Sequence, residues 1–352
     1  LHILNFSAPF RGKVNFEEMQ KHLYSLPHLP DAVPYITSYY EKRWGFCISE
    51  NERKNLPQGD FEVFIDSVHR HGKLVAGEAV LKGQTKQEIL LSSYLCHPSL
   101  ANNELSGPLV LAFLYDALKK KAQRKFTYRF VVVPETIGSI AYLSKRGEHL
   151  RRNVVAGYQI TCAGDAGAFT YKKSRQGNCL SDRAAEAVLK TSNHSYIIHD
   201  FDPSQGSDER QYCSPGYNLP VGSLMRTMYN KYPEYHTSLD DKKFISFSAM
   251  AETVNVYVRM IELIEANEVF VNAVMRGEPH LSKYGLYSSL GSVPQKEKES
   301  FRSAIMWILN LADGSHDTID AALRSKLPLE VLIQAVAALR NAKLVYKGSH
   351  AK

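Results

Sequence analysis

The sequence has no stretch near the roughly 18 consecutive apolar residues that a membrane-crossing helix needs. Its most hydrophobic runs are soon broken by Lys, Arg or Pro, which excludes a helical membrane span. Cysteine is sparse. Cys47, Cys96, Cys162, Cys179 and Cys213 are odd in number, scattered, and contain no CxxC pair. That pattern excludes a disulfide framework and fits reduced thiols in a cytoplasmic chain. Charge of one sign is also limited: the formal net charge is +7 over 352 residues. Short basic runs such as Lys119-Lys120-Lys121 and Lys172-Lys173 read as solvated faces, so charge alone does not imply nucleic acid. The first residue is Leu1, not Met, and residues 1–5 read as strand with no basic region or small-residue cleavage site. A start lying further upstream is expected.

With 44% hydrophobic and 22% charged residues, the composition is that of a folded globular protein. The length favours two domains, perhaps with an inserted module. Residues 1–58 are rich in aromatics and prolines and read as a small β-rich module. Segments 36–40 and 43–47 look like short strands, and Asn15 is placed to cap a helix over 16–26. A hairpin is expected next, residues 62–66 and 74–81 joined through His71-Gly72. Strands at 88–94, 128–133 and 154–161 then alternate with helices at 105–121 and 137–146, which predicts an α/β fold with a mostly parallel sheet flanked by helices. Residues 282–296, with Pro294, read as a linker. Helices at 300–312, 317–325 and 328–341 and a strand at 344–346 follow, the pattern of a winged helix-turn-helix. The expected division is a module over 1–58, a catalytic core over 59–278, and linker plus winged helix over 279–352.

In a parallel sheet, ligands bind beyond the carboxyl ends of the strands. After the first strand comes Cys96-His97-Pro98-Ser99-Leu100-Ala101-Asn102-Asn103-Glu104-Leu105-Ser106-Gly107, where His97 and Glu104 can meet on one metal. A polar loop with Asn103 capping the next helix is the plainer alternative. The second strand ends in Val133-Pro134-Glu135-Thr136, and Glu135 either favours the following helix dipole or serves as general base to metal-bound water. Asp165 offers a carboxylate after the third strand. Later come Gly206-Ser207-Asp208-Glu209-Arg210 and Tyr235-His236-Thr237-Ser238, where neighbouring polar groups can steady the His236 imidazole.

Taken together, residues 94–107, 134–143, 206–216 and 233–241 resemble the zinc aminopeptidase clan that contains bacterial leucyl aminopeptidases and glutaminyl cyclases. With residues 36–47, the likeness is closer still to aminopeptidase-like proteins carrying a nested β module and a C-terminal winged helix. The resemblance implies a zinc exopeptidase-like core with one or two zinc ions. His97 matches the first-metal histidine, Glu135 the general base, and His236 the second-metal histidine. Where the clan has a bridging Asp, this chain has Asn103. It has Thr136 in place of a second Glu, and Thr161 near an expected Asp whose nearest substitute is Asp165. Either Glu104 takes over the bridging role or a single zinc binds on His97, His236 and one carboxylate, with Asp165 as a further candidate ligand. Tyr235 or Arg210 is assigned to steady the oxyanion by proximity in sequence, and Asp208 to orienting a loop or ligand.

The implied activity is metal-dependent removal of N-terminal residues from short peptides, or cleavage of a related amide. Two alternatives stay open: a degenerate, aminopeptidase-like binding protein, and a winged-helix regulator with an α/β sensor core. The helix at 328–341 carries only Arg340 as a basic group, which speaks against nucleic acid. Tyr39, Tyr40 and Trp44 leave open a carbohydrate contact through the module, although a core role for them is the commoner arrangement. Homo-oligomerisation is also left open.

Overall fold

Seven-residue strands of buried side chains set the frame of the computed structural model, which describes residues 1–286 and 295–348. The N-terminal part comprises β1 (His2–Ile3), β2 (Phe10–Asn15), α1 (Phe16–Lys21), β3 (Leu23–Tyr24), β4 (Phe46–Cys47), α2 (Glu50–Lys54) and β5 (Asp60–Ile65). The central part has β6 (Gly77–Leu81), β7 (Glu88–Tyr94), a π-helical turn at Ala101–Leu105, α3 (Ser106–Lys119), β8 (Thr127–Val133) and α4 (Ile137–Asn153). It continues with β9 (Val154–Ile160), β10 (Phe169–Lys172), α5 (Leu180–Thr191), β11 (Tyr196–His199), α6 (Glu209–Tyr212), β12 (Val221–Met225) and α7 (Phe247–Ala266). The C-terminal part holds β13 (Val269–Asn272), α8 (Gln295–Leu311), β14 (Asp313–Asp317), α9 (Thr318–Ser325), α10 (Leu329–Asn341) and β15 (Val345–Lys347).

The central sheet has the order β11-β10-β12-β9-β7-β8-β6. Strands β7, β8, β9 and β12 run parallel, and β6 and β10 pair antiparallel to their neighbours β8 and β12. In β7 every residue is buried, as a central parallel strand covered on both faces requires. Tyr94 pairs with Val133, so β7 and β8 end level and hand their following loops to one rim. Gly107 is needed where α3 meets that rim, because a Cβ there would lie 2.5 Å from the Ile160 carbonyl oxygen.

Several expectations are corrected. The hairpin at 62–81 does not form: β5 pairs with β2 and β6 with β8, so adjacent segments belong to different sheets. Asn15 does cap α1, accepting from the Glu18 amide, but the helix ends at Lys21 and Leu23-Tyr24 becomes a strand. Residues 36–40 form no strand, only a bridge at Thr37 to Asn5. Lys172 is not solvated; it is 2% exposed and bound to Glu209 at 3.0 Å. Trp44 packs in the module, stacked on Phe10 and His22, but Tyr39 and Tyr40 are exposed. Of the expected linker, residues 287–294 lie outside the described residues, 282–284 join a 3-10 turn, and 295–296 begin α8.

One apolar cluster runs from Leu114 and Tyr158 in the central part through Ile261 to Ile305, Ile319 and Leu339, so the C-terminal helices share the core of the α/β part. β13 lies between β14 and β15, completing the winged-helix sheet. Arg340 of α10 is held by Glu268 and lies over the Phe270 ring, and Glu268 also meets Lys347 at 3.4 Å. Among the described residues no helix is long and apolar enough to cross a membrane.

Candidate active site at the carboxyl rim of the sheet

The loop after β7 turns back into α3 through a π-helical turn, a widened geometry often found at functional sites. Asp240 holds that turn from a distant loop. Its Oδ1 accepts from the Asn102 amide at 2.5 Å and its Oδ2 from the Asn103 amide at 2.9 Å. Asn103 is thereby fixed, and its Nδ2 donates to the Tyr94 hydroxyl at 3.0 Å. Its Oδ1 then faces His236 Nε2 at 3.1 Å.

His97 sits 5.0 Å from His236, ring centre to ring centre, and is 8% exposed. Its Nδ1 lies 3.1 Å from Glu104 Oε2 and its Nε2 3.6 Å from Glu135 Oε2. Burial opposes a charge on His97, but hydrogen bonds to Cys96 and Glu104 outweigh it and push the pKa up to about 10. Burial and the neighbouring His97 push His236 the other way, down to about 4. Burial also raises Glu135, although Ser207 donates to its Oε1 at 2.6 Å. Tyr235 stacks on the His236 ring at 4.0 Å, and burial raises its phenol so that it keeps its proton at neutral pH.

A cavity of about 300 Å³ opens between these groups, lined by His97, Glu135 and His236 from the core and by Tyr35, Tyr39 and Tyr40 from the N-terminal module. His97, Glu135 and His236 are therefore brought together. Glu104 comes with them but on the Nδ1 side of His97, where it also accepts from the Cys96 amide. Asp165 is not brought in: its oxygens accept from Thr227, Gly167 and Asn102, which ties loops together. Arg210 does not line the cavity either, and its Nε is buried without a partner. The sequence reading missed Tyr35, whose ring lies 5.1 Å from His97 and 5.4 Å from His236. It also missed Asp240 and Ser207. Ser207 and Asp240 sit in the polar loop motifs already singled out, and only their three-dimensional partners give them roles.

The residues here that could hold a metal ion are His97, His236 and Asn103. The Asn103 amide oxygen faces His236, the His97 ring lies beside that of His236, and Glu104 anchors His97 as outer carboxylates commonly do. Asn103, Thr136 and Thr161 stand where the resemblance implies carboxylates, and the Thr161 hydroxyl is bound to Tyr94 at 2.5 Å. Cys96, His97 and Glu104 also lie within 4.8 Å of one another. Those atoms pair mutually, and Cys96 Sγ accepts from the Glu135 amide, so their geometry is that of a support for the His97 ring.

Comparison with known proteins agrees with this architecture. A winged helix-turn-helix family matches residues 268–347. A Clostridium acetobutylicum protein, named as a candidate polysaccharide biosynthesis protein with an aminopeptidase-like domain, is 38% identical over 345 residues, spanning 98% of this chain and 78% of that one. The crystal structure of a candidate peptidase from the same organism superposes with a TM-score of 0.89 at 37% identity, covering 99% of this chain and 78% of that one. A zinc aminopeptidase from Bacillus subtilis shares the fold, with a TM-score of 0.52 at 16% identity over 72% of this chain and 67% of its own. With residues 19–267 matching the domain of unknown function DUF4910, the chain belongs to that family, an aminopeptidase-like α/β fold joined to a C-terminal winged helix.

Proposed function

We propose that this protein is a metal-dependent hydrolase that cleaves an amide at the end of a short chain, with Glu135 as general base. The observation that carries the reading is the meeting of His97, Glu135 and His236, from three separate loops, at one cavity. His97, His236 and the Asn103 amide oxygen would hold the ion. When bound, a zinc-class ion supplies Lewis-acid chemistry, acidifying water toward a pKa of about 7 and polarising a carbonyl.

The chain's own residues do the rest. Glu104 keeps the Nδ1 side of His97 occupied, which leaves Nε2 toward the cavity. Tyr235 fixes the plane of His236 by stacking. Glu135 Oε2 accepts a proton from attacking water while Oε1 stays on the Ser207 hydroxyl. Burial raises the basicity of Glu135, the direction that suits a general base. The module narrows the entrance with Tyr35, Tyr39 and Tyr40, which favours chain ends over internal bonds.

A second reading, of a binding protein without turnover, draws support from Asn103, because an amide oxygen is a poorer ligand than a carboxylate. For either reading, a carbohydrate-linked ligand is supported by the exposed Tyr39 and Tyr40 at the cavity and by the relative's name. Metal analysis and amide hydrolysis on the wild type, His97→Ala and Glu135→Gln decide between the readings. Hydrolysis predicts loss of metal in the first variant. In the second it predicts retained metal with turnover down about 10²–10⁴-fold. Bound metal without any turnover in the wild type selects the binding reading, and no metal at all overturns both as stated.

A further inference from the structure

Thr136, immediately after Glu135, has φ +61° and ψ −71°. The Ile137 amide donates to the Glu135 carbonyl at 2.7 Å, closing a three-residue turn. This is the rare, strained form of the γ-turn, and Thr, branched at Cβ, is poorly suited to positive φ. Such strain persists only where surrounding contacts enforce it. Here the enforcing group is Asp208, fully buried, whose Oδ1 accepts from the Thr136 amide at 2.7 Å and from the Ser139 hydroxyl at 2.8 Å. The adjacent Ser207 holds the Glu135 carboxylate itself.

The loop carrying Asp208 is held on either side of it. The buried Lys172 ammonium donates to the carbonyls of Asp202 and Gln205 and to Glu209 Oε1. Glu209 caps back onto the Ser207 amide at 3.0 Å. Gly206 has φ +155°, and a Cβ there would lie 2.2 Å from Glu209 Oε1 and 2.7 Å from Lys172 Nζ. Only glycine lets the chain pass so close to the ion pair.

We propose that Asp208 and Ser207 are positioning residues for Glu135: the Asp208 carboxylate holds the strained turn that aims the base, and the Ser207 hydroxyl fixes its carboxylate. This rests on Glu135 acting as the base. Acceptor geometry, not charge, is what Asp208 contributes, so Asn in its place retains the function. Burial and the nearby Glu135 push the Asp208 carboxyl up to about 8, which agrees with a neutral acceptor being sufficient.

The test combines steady-state kinetics on an amino-acid amide with hydrogen exchange at the Thr136 amide, in wild type, Asp208→Ala, Asp208→Asn and Ser207→Ala. Asp208→Ala is expected to lower kcat about 100-fold with KM within about twofold, since a displacement near 1 Å can cost that much. The Thr136 amide then exchanges at least tenfold faster. Asp208→Asn stays within tenfold of wild type in both readouts, and Ser207→Ala lowers kcat with no effect on Thr136 exchange. Adding Thr136→Gly to Asp208→Ala recovers about tenfold in kcat, because glycine adopts positive φ without strain. An unchanged kcat in Asp208→Ala, an Asn variant as impaired as Ala, or no gain from glycine overturns the proposal. If Asp208→Ala does not fold, Asp208→Asn and Ser207→Ala still decide. If the wild type shows no hydrolysis, the base assignment fails, and Thr136 exchange alone tells whether Asp208 holds the turn.

Discussion

Buried carboxylates serve opposite ends in two regions of this molecule. At the junction between the core and the winged helix, Asp317 caps α9 and takes a two-pronged contact from Arg183 of α5, at 2.5 and 2.9 Å. Burial pushes the Asp317 carboxyl up, but the Arg183 guanidinium outweighs it and holds the group below its usual range. At the rim, burial dominates, and Glu135, Asp208 and Asp240 are all raised. Of the nine non-glycine residues with positive φ among those described, four lie there, Ser99, Thr136, Cys162 and His236. Paired charge fastens one part of the fold to another. Carboxyl groups raised by burial, and the strained turn at Thr136, cost stability and lie beside the candidate chemistry.

The largest effect expected from breaking this contrast is at the junction. Arg183→Ala leaves the buried Asp317 without its cation, though still held by Asn267 and the Asp320 amide, and removing one partner of such a pair costs about 3 kcal/mol. A urea titration should show the midpoint fall accordingly, whereas an unchanged midpoint would mean the pair is not a fastening.

A pH series sharpens the same contrast. Asp317 is lowered on folding, so its contribution is present above the unfolded value near 4 and is lost as pH falls through its folded value. Asp208 is raised to about 8, so it lowers stability progressively as pH climbs from the unfolded value near 4 to about 8, and by a constant amount above that. Acidification from about pH 8 toward 5 relieves that cost. Unfolding midpoints across pH should therefore gain less on acidification in Asp208→Asn than in wild type. Asp317→Asn should flatten the decline below about pH 4. Parallel curves for all three proteins would remove the distinction.

The smallest effect is expected at the cavity mouth. Tyr40 is fully exposed, so Tyr40→Ala should leave the unfolding midpoint within about 0.5 kcal/mol of wild type. If its ring stacks on substrate, KM for a ring-bearing amide rises about threefold to tenfold. An equal rise for a small linear amide would argue against stacking.

Much of the frame was legible because it is local. Strand 88–94 could be read to the residue from its unbroken burial-type run, and the three C-terminal helices appear close to where apolar spacing puts them. His97, Glu135 and His236 could be singled out because chemistry collects beyond strand ends, although their meeting could not be read. The pattern at residues 62–66 and 74–81 suggests a hairpin, but it does not name a partner strand, and β5 finds β2 instead. Lys172 looked like a surface charge because its run continues into Lys173. Its burial depends on carbonyls of a loop near residues 202–205 and on Glu209.

The order of residues by itself determined the α/β alternation, the winged-helix tail and the residue types available for chemistry, because side-chain periodicity and strand-end composition act over short stretches. Only the tertiary structure decided that Asp165 and Arg210 stand away from the cavity, that Glu104 supports His97 from its far side, and that Asp208 braces Thr136. Each of those outcomes depends on which distant donor reaches a buried oxygen first, a competition among loops far apart in the chain that no local pattern encodes.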